Sequence, residues 1–251
     1  MAELTKRLAA AFDKWKQSQT LFPQLAEFDT HRAVATFYEA YLGSPFRTRA
    51  GGSRLNNLLL LYLVARSYEP TTIIDSGTFQ GASAWALKLG APRARVISFD
   101  IDLSRLISRT DRVEYVGHDW TTFDLSECDM SKSLAFFDDH IDQVRRLEES
   151  VDRDVKAIIF DDDLTIGAFS EMAHGGMSIP KIEWVFDPFV ASQDKISWFD
   201  GKAEQSWKVD HKRLEAARDA IEGYDRLPNT GPLTGISHLP YSILTLKPRH
   251  A

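Results

Sequence analysis

Apolar residues recur at helical spacing through the first third of the chain, at Leu4, Leu8, Phe12 and Trp15, and again across residues 30–42, where Gly43 and then Pro45 close the run. The next ten residues, GSPFRTRAGG, have no periodicity and read as a loop. Ser53 is placed to cap a third helix that passes through the leucine run at 58–61 and stops before Pro70. From Thr71 the pattern changes to short β-rich runs separated by helical stretches, which predicts strands over 72–75, 95–100, 113–117, 134–138 and 156–161. Helices are predicted over 139–151 and 210–222, the second capped by Asp210 and stopped by Gly223, and residues 241–246 read as a closing strand. Residues 175–208 are irregular and carry Trp184, Phe186, Phe189, Trp198, Phe199 and Trp207, a content that suits a substrate-covering insertion or the ordinary packing of an irregular segment.

Strands alternating with helices predict an α/β fold: a doubly wound, mostly parallel Rossmann-like sheet with N-terminal helices. Residues 1–69 form a helical region packing on a core of 70–251, and no internal repeat interrupts either part. An apolar fraction of 43% with 26% charged residues describes an ordinary globular chain rather than a disordered or fibrous one. The net charge of −6 argues against broad nucleic-acid binding and favours a small-molecule ligand. A lone cysteine, Cys128, leaves no intrachain disulfide and no cysteine-rich zinc site. The longest apolar run, 58–65, falls far short of the ~20 residues of a membrane span, and the first 19 residues lack the apolar core of a signal peptide. A cytoplasmic protein without a membrane partner is expected; the apolar N-terminal helices suit either cover of the sheet or a homo-oligomer contact.

The sharpest local signal is IIDSGTFQGAS at 73–83, an apolar strand that breaks into a glycine-punctuated turn and then a helix. Gly77 permits the tight turn, and Gly81 lets the helix start close to a ligand with free N–H groups facing it. A dinucleotide fingerprint would need glycine at Phe79, so hydride transfer is disfavoured. About twenty residues on, Asp100 ends the second strand and is placed either to accept ribose hydroxyls or to cap the next helix. His118 and Asp119 follow the third strand, where they are either a surface turn or the contact to an adenine edge.

The turn DSGTFQGAS followed by SFDID resembles the cofactor site of class I S-adenosylmethionine-dependent methyltransferases, in the variant used by catechol-type and macrocin-type O-methyltransferases. The runs LAFFDDHIDQ and IIFDDDL resemble the acidic strand ends of the cephalosporin hydroxylase-like branch, and the likeness covers residues 51–164. It implies S-adenosylmethionine bound by Asp75, Gly77, Thr78, Gly81, Ser83, Asp100, His118 and Asp119. It further implies Mg²⁺ held by Asp139, Asp161 and Asp162, with Asp138 as the register alternative, and an O-methylation whose acceptor is a sugar or other hydroxylated natural product. Oxygen ligands of this kind suit Mg²⁺, which acidifies a bound hydroxyl. Asp139 would then act with His140, the candidate general base, although His140 also suits a structural role and Asp139 and Asp163 suit helix capping. Asp162 stands where the catechol-type pattern has Asn, and no lysine matches that family's base.

Arg47, Arg49 and Arg54 suit either a solvated loop or an anion contact. Asp161 and Asp163 also fit the D-x-D-x-T pattern of haloacid-dehalogenase-type phosphatases, as nucleophile and acid, although that motif normally opens its domain. A D-x-D glycosyltransferase would leave the Gly77 turn unexplained, and a noncatalytic binding protein that keeps the fold is the third class of reading.

Overall fold

The computed structural model describes residues 2–22, 25–48, 51–172, 179–200, 202–237 and 239–248. Three helices come first: α1 (Ala2–Ser18), α2 (Thr30–Gly43) and α3 (Leu55–Tyr68), with a single 3-10 turn at Pro45–Thr48. The alternating region then supplies β1 (Thr72–Ser76), α4 (Ala82–Gly90), β2 (Arg95–Phe99), β3 (Val113–Val116), β4 (Ser133–Phe137), α5 (Gln143–Asp152), β5 (Ala157–Phe160) and α6 (Ile166–Met172). After it come α7 (Pro188–Ala191), β6 (Lys195–Phe199), β7 (Glu204–Lys208), α8 (His211–Ala220), β8 (Ile221–Arg226), α9 (Gly231–Thr234) and β9 (Ser242–Leu246).

Seven strands form one sheet in the order β3-β2-β1-β4-β5-β9-β8. The first five are parallel, and β9 runs antiparallel to both β5 and β8. Because side chains alternate along a strand, the sheet feeds two cores. Ile73, Val96, Leu134, Phe136, Ile159 and Ile243 face a cluster shared with α1, α2, α3 and α4. Ile74, Ile97, Ala135, Phe137, Ile158 and Leu244 face the other, with Val144 and Leu147 of α5 and Leu214 of α8. Helix α3 is buried on nearly every side, which explains its unbroken leucine run where a surface helix would show a stripe.

Several expected boundaries move. Ser53 does not cap α3; Arg54 occupies the cap position without a side-chain bond, and the Ser53 hydroxyl pairs with the Tyr241 hydroxyl at 2.7 Å. Helix α5 is capped by Asp142, which accepts from the Arg145 N–H at 3.1 Å, so Asp139 is free of that role. Helix α8 ends at Ala220, and Gly223 lies inside β8 at a register shift instead of stopping a helix. Edge strand β8 reads IEGYDR, too polar to announce itself as a strand. Within the irregular 175–208 segment, residues 175–178 and 201 lie outside those described, while β6 and β7 form a separate two-stranded sheet. Trp184 there is buried, donates its indole N–H to the Leu164 carbonyl at 2.9 Å, and packs against Phe169 and Trp207, so the packing reading holds for it. Phe189 and Phe199 stay exposed. Among the described residues no helix is long and apolar enough to cross a membrane.

Replacing Leu60, which is fully buried between the N-terminal helices and the sheet, with alanine leaves a cavity. Leu60→Ala is expected to lower unfolding free energy by about 2–5 kcal/mol, read as a lower urea midpoint at unchanged slope.

Candidate functional site

Four neighbouring strands end level with one another. The register pairs Phe99 of β2 with Ser76 of β1, Ser76 with Phe137 of β4, and Phe137 with Phe160 of β5. The residues that follow are Asp100, Gly77, Asp138 and Asp161, so three carboxylates and one glycine share the carboxyl edge of the sheet. This edge includes the place where the strand order reverses between β1 and β4, the usual ligand position of an open parallel sheet. A cavity of about 670 Å³ opens there, lined among others by Gly77, Phe79, Asp100, Ile101, His118, Asp119, Asp138, Asp139 and His140.

The glycine turn is built for close approach. Gly77 has φ +100°, and a β-carbon on it would lie 2.3 Å from the Asp138 carbonyl oxygen. Its N–H, like that of Thr78, donates to the Phe99 carbonyl, at 2.9 and 3.1 Å. Gly81, at φ +92°, caps α4 with no side chain over the helix end. Three expected contacts turn inward instead of into the cavity. Asp75 is fully buried and accepts from the Ser98 hydroxyl at 2.5 Å, and Ser83 also hydrogen-bonds to it. The Thr78 hydroxyl pairs with that of Ser98. Asp75, Thr78 and Ser83 therefore brace the loop from beneath. Asp100 lines the cavity and also shapes it, since its two oxygens accept the N–H groups of Phe79, at 2.7 Å, and Asp102, at 2.9 Å. Capping of the following 3-10 turn falls to Asp102.

Arg146 of α5 was not anticipated. Its side chain is only 2% exposed, yet it reaches the cavity wall and pairs with Asp119 at 2.6 Å, Asp139 at 2.8 Å and Glu149 at 2.6 Å. Burial works against its charge, and the three carboxylates more than offset that and raise its pKa. Burial alone would raise Asp119, but hydrogen bonds from Arg146 and Thr121 hold it well below the usual carboxylate range. The spacing of α5 carried a signal: Gln143 and Arg146 lie on its buried face with Val144 and Leu147. His118, exposed at the rim, pairs through Nδ1 with the Thr122 hydroxyl at 2.8 Å.

The acidic clusters assemble in the register alternative. Asp139 is engaged by the Ser76 hydroxyl, at 2.6 Å, and by Arg146. Asp138 hydrogen-bonds to Asp161, and these two with Asp162 form one interacting group. Burial is the first cause that raises all three carboxyls, and mutual repulsion adds to it for Asp138 and Asp161. Lys181 and His140 act against the rise at Asp162. One oxygen of Asp162 is buried without a hydrogen-bond partner. Lys181, also unanticipated, is 2% exposed and within electrostatic range of Asp162, Asp163, Asp161 and Asp138; burial lowers its pKa and those carboxylates oppose the fall. The set Asp139, Asp161 and Asp162 does not fit Mg²⁺, because Arg146 holds Asp139 and the Asp138 and Asp161 carboxyls bond to each other. Among the described residues no group of three or more His, Cys, Asp or Glu side chains is arranged to hold a metal ion.

Asp163 is fully buried and accepts from the Glu183 N–H, at 2.9 Å, and the Tyr224 hydroxyl, at 2.8 Å. It is bound as a structural bracket, and Asp161 follows the fifth strand of a sheet; neither suits the phosphatase reading. Arg47 lies in the 3-10 turn, Arg54 precedes α3, and Arg49 is outside the described residues.

No protein-family model and no curated protein matches the sequence. Solved structures match in shape. The O-methyltransferase TomG from Streptomyces achromogenes, in complex with SAM, has 15% identity and a TM-score of 0.50 over 97% of this chain and 99% of that one. An SAH-bound methyltransferase from Podospora anserina has 16% identity and a TM-score of 0.46 over 98% and 96%. CmcI with Mg and SAM has 14% identity and a TM-score of 0.46 over 92% and 89%. The likeness to TomG shows the fold, which is that of class I methyltransferases.

Two predictions follow from the charges. Burial raises the Asp75 carboxyl to about 6 from a model-peptide value of 3.8, so the folded state binds the extra proton and stability falls as pH rises through that window. Asp75→Asn removes the effect: its stability should match the wild type near pH 4 and exceed it by on the order of 2–3 kcal/mol at pH 8, measured by urea unfolding at both pH values. Arg146→Met leaves Asp119, Asp139 and Glu149 without their shared cation, and the loss expected at neutral pH is about 3–5 kcal/mol by the same measurement.

Proposed function

We propose that the protein is an S-adenosylmethionine-dependent methyltransferase that methylates an oxygen of a small polar acceptor, a sugar or a polyhydroxylated natural product. The observation that carries this reading is the continuity of one cavity from Asp100 at the end of β2, past the Gly77 turn, to Asp138 in the acidic cluster. A nucleoside end and a reacting end thus lie in the same space. The class I methyltransferase fold supports the cofactor assignment at the level of architecture.

The residues fit such a cofactor in several respects. Asp100 keeps lone pairs beyond those taken by Phe79 and Asp102, and these suit ribose hydroxyls. Ile101, 85% exposed beside it, offers an apolar wall to the base, with His118 and Asp119 at its edge. Gly77 lets the cofactor approach the backbone. Asp139, fixed by Ser76 and Arg146, presents negative charge to the amino-acid end. S-adenosylmethionine supplies, when bound, an electrophilic methyl group on sulfur.

At the other end of the cavity Asp138 is the carboxyl placed to accept the hydrogen of an acceptor hydroxyl, backed by its bond to Asp161. Buried carboxyls with raised pKa values near working pH suit proton acceptance. His140, on the cavity wall and within electrostatic range of Asp162, is the second candidate for the proton. Behind the acidic cluster, the Tyr241 hydroxyl is held by Ser53 and kept protonated by burial and by the nearby carboxylates.

Calorimetric titration with S-adenosylmethionine and S-adenosylhomocysteine tests the reading. Saturable binding is expected, and Asp100→Asn should weaken it by about tenfold or more, because a charged acceptor is lost, while the melting temperature changes by no more than about 2–4 °C. Unchanged affinity would remove the ribose role from Asp100; absence of binding by the wild type would overturn the cofactor class.

A further inference from the structure

We propose that Lys181 is the resident counter-cation of the acidic centre, standing where a divalent metal ion would otherwise be needed beside Asp138, Asp161 and Asp162. The inference goes beyond the methyltransferase reading and does not depend on it. It starts from an electrostatic requirement: carboxylates crowded at buried strand ends need compensation by protons, a metal or a fixed base.

The chain segment that carries Lys181 is tied onto the acidic run by five hydrogen bonds. Gln143, the first residue of α5, bridges the two segments: its Nε2 donates to the Asp161 carbonyl at 2.7 Å, and its Oε1 accepts from the Ile182 N–H at 2.9 Å. The Gln143 backbone N–H donates to the Pro180 carbonyl at 3.2 Å. One residue further, the Glu183 N–H donates to Asp163 Oδ1 at 2.9 Å, and the Trp184 indole N–H to the Leu164 carbonyl at 2.9 Å. Residues 180–184 therefore lie beside residues 161–164, and Lys181 sits between two anchored neighbours with its side chain enclosed.

The Lys181 ammonium lies within electrostatic range of the acidic group. Its interacting charges are Asp162, Asp163, Asp161 and Asp138. Asp163 is already bracketed by Tyr224 and Glu183, which directs the compensating charge to the other three. Asp139, one residue beyond Asp138, has its own cation in Arg146. Each acidic cluster thus has one buried basic residue near it, paired directly in the case of Arg146 and acting at longer range in the case of Lys181. A lysine is a compact point charge, suited to face several oxygens without the planar geometry an arginine imposes.

Metal linkage tests this without any cofactor or acceptor. Wild-type protein, stripped by chelation, is melted and titrated calorimetrically with and without millimolar Mg²⁺; no saturable heat and an unmoved melting temperature are expected. Lys181→Met should melt on the order of 10 °C lower at pH 8 and regain part of that loss in Mg²⁺, because the carboxylates then need an external cation. The double variant Lys181→Met, Asp161→Asn removes one charge of each sign, and it should melt above the single variant even if the single variant folds poorly. Saturable Mg²⁺ binding with a rise in melting temperature in the wild type would overturn the proposal. So would a Lys181→Met protein as stable as wild type in chelator, or a double variant no more stable than the single.

Discussion

Crowding of negative charge at one edge of the sheet is the constraint on which the rest of the structure depends. Because β2, β1, β4 and β5 end on one rung, any side chain placed one residue later meets its neighbours across less than two strand spacings. Three of those four positions are aspartates. The fourth must be small, since the Asp138 carbonyl occupies the space where a side chain at Gly77 would begin. Close packing of carboxylates beside a bare backbone leaves room for a ligand but is unfavourable unless compensated. The compensation comes from off the sheet, from Arg146 on one side and Lys181 on the other.

The same edge holds unusual backbone. Phe79, His140 and Asp162, which follow β1, β4 and β5, have φ values of +43°, +55° and +52°, a region that non-glycine residues rarely adopt. Each costs on the order of 1 kcal/mol or more and persists only where its surroundings over-determine it. For Phe79 the anchor is its N–H bond to Asp100, and for Asp162 it is the bond from its N–H to Asp161 Oδ1 at 2.8 Å. Carboxylates that would repel one another in an open site are thus partly occupied in holding the turns that present them. Glu69, Arg112 and Asp154 share this conformation away from the carboxyl edge, but at the edge itself three adjacent strand ends carry it, beside the carboxylates that hold two of the turns.

Much of this was legible in the sequence because it is local. Alternating β-rich and helical runs located the five parallel strands to within a residue or two, and the spacing of Gly77 and Asp100 located the cavity, since each acts through its own backbone or strand end. Identifying which carboxylates meet was harder. Asp138 and Asp139 differ by one residue, and in an extended chain one residue reverses the side-chain direction, so the pairing of Asp139 with Arg146 and of Asp138 with Asp161 depends on register that only the sheet reveals. Lys181 had no local signal beyond a single charge between Pro180 and Ile182; its role arises from contacts made across the fold. Strand β8 was hidden for a different reason, because an exposed edge strand satisfies its backbone with one neighbour and needs no apolar alternation to do so.

Helix α5 links the two compensated clusters. Its first residue, Gln143, sets the position of the Lys181 segment, and one turn later Arg146 fixes Asp119 and Asp139. Both side chains lie on the buried face, locked by Val144 and Leu147 beneath the sheet, and Asp142 at the cap is held in turn by Arg213 at 2.5 Å. Residues three apart on a helix point in nearly the same direction, about 4.5 Å apart along its axis. A displacement of α5 would therefore move Arg146 and the anchor of the Lys181 segment together. Charge balance at the two ends of the cavity is consequently one geometric property, set by the seating of a single short helix.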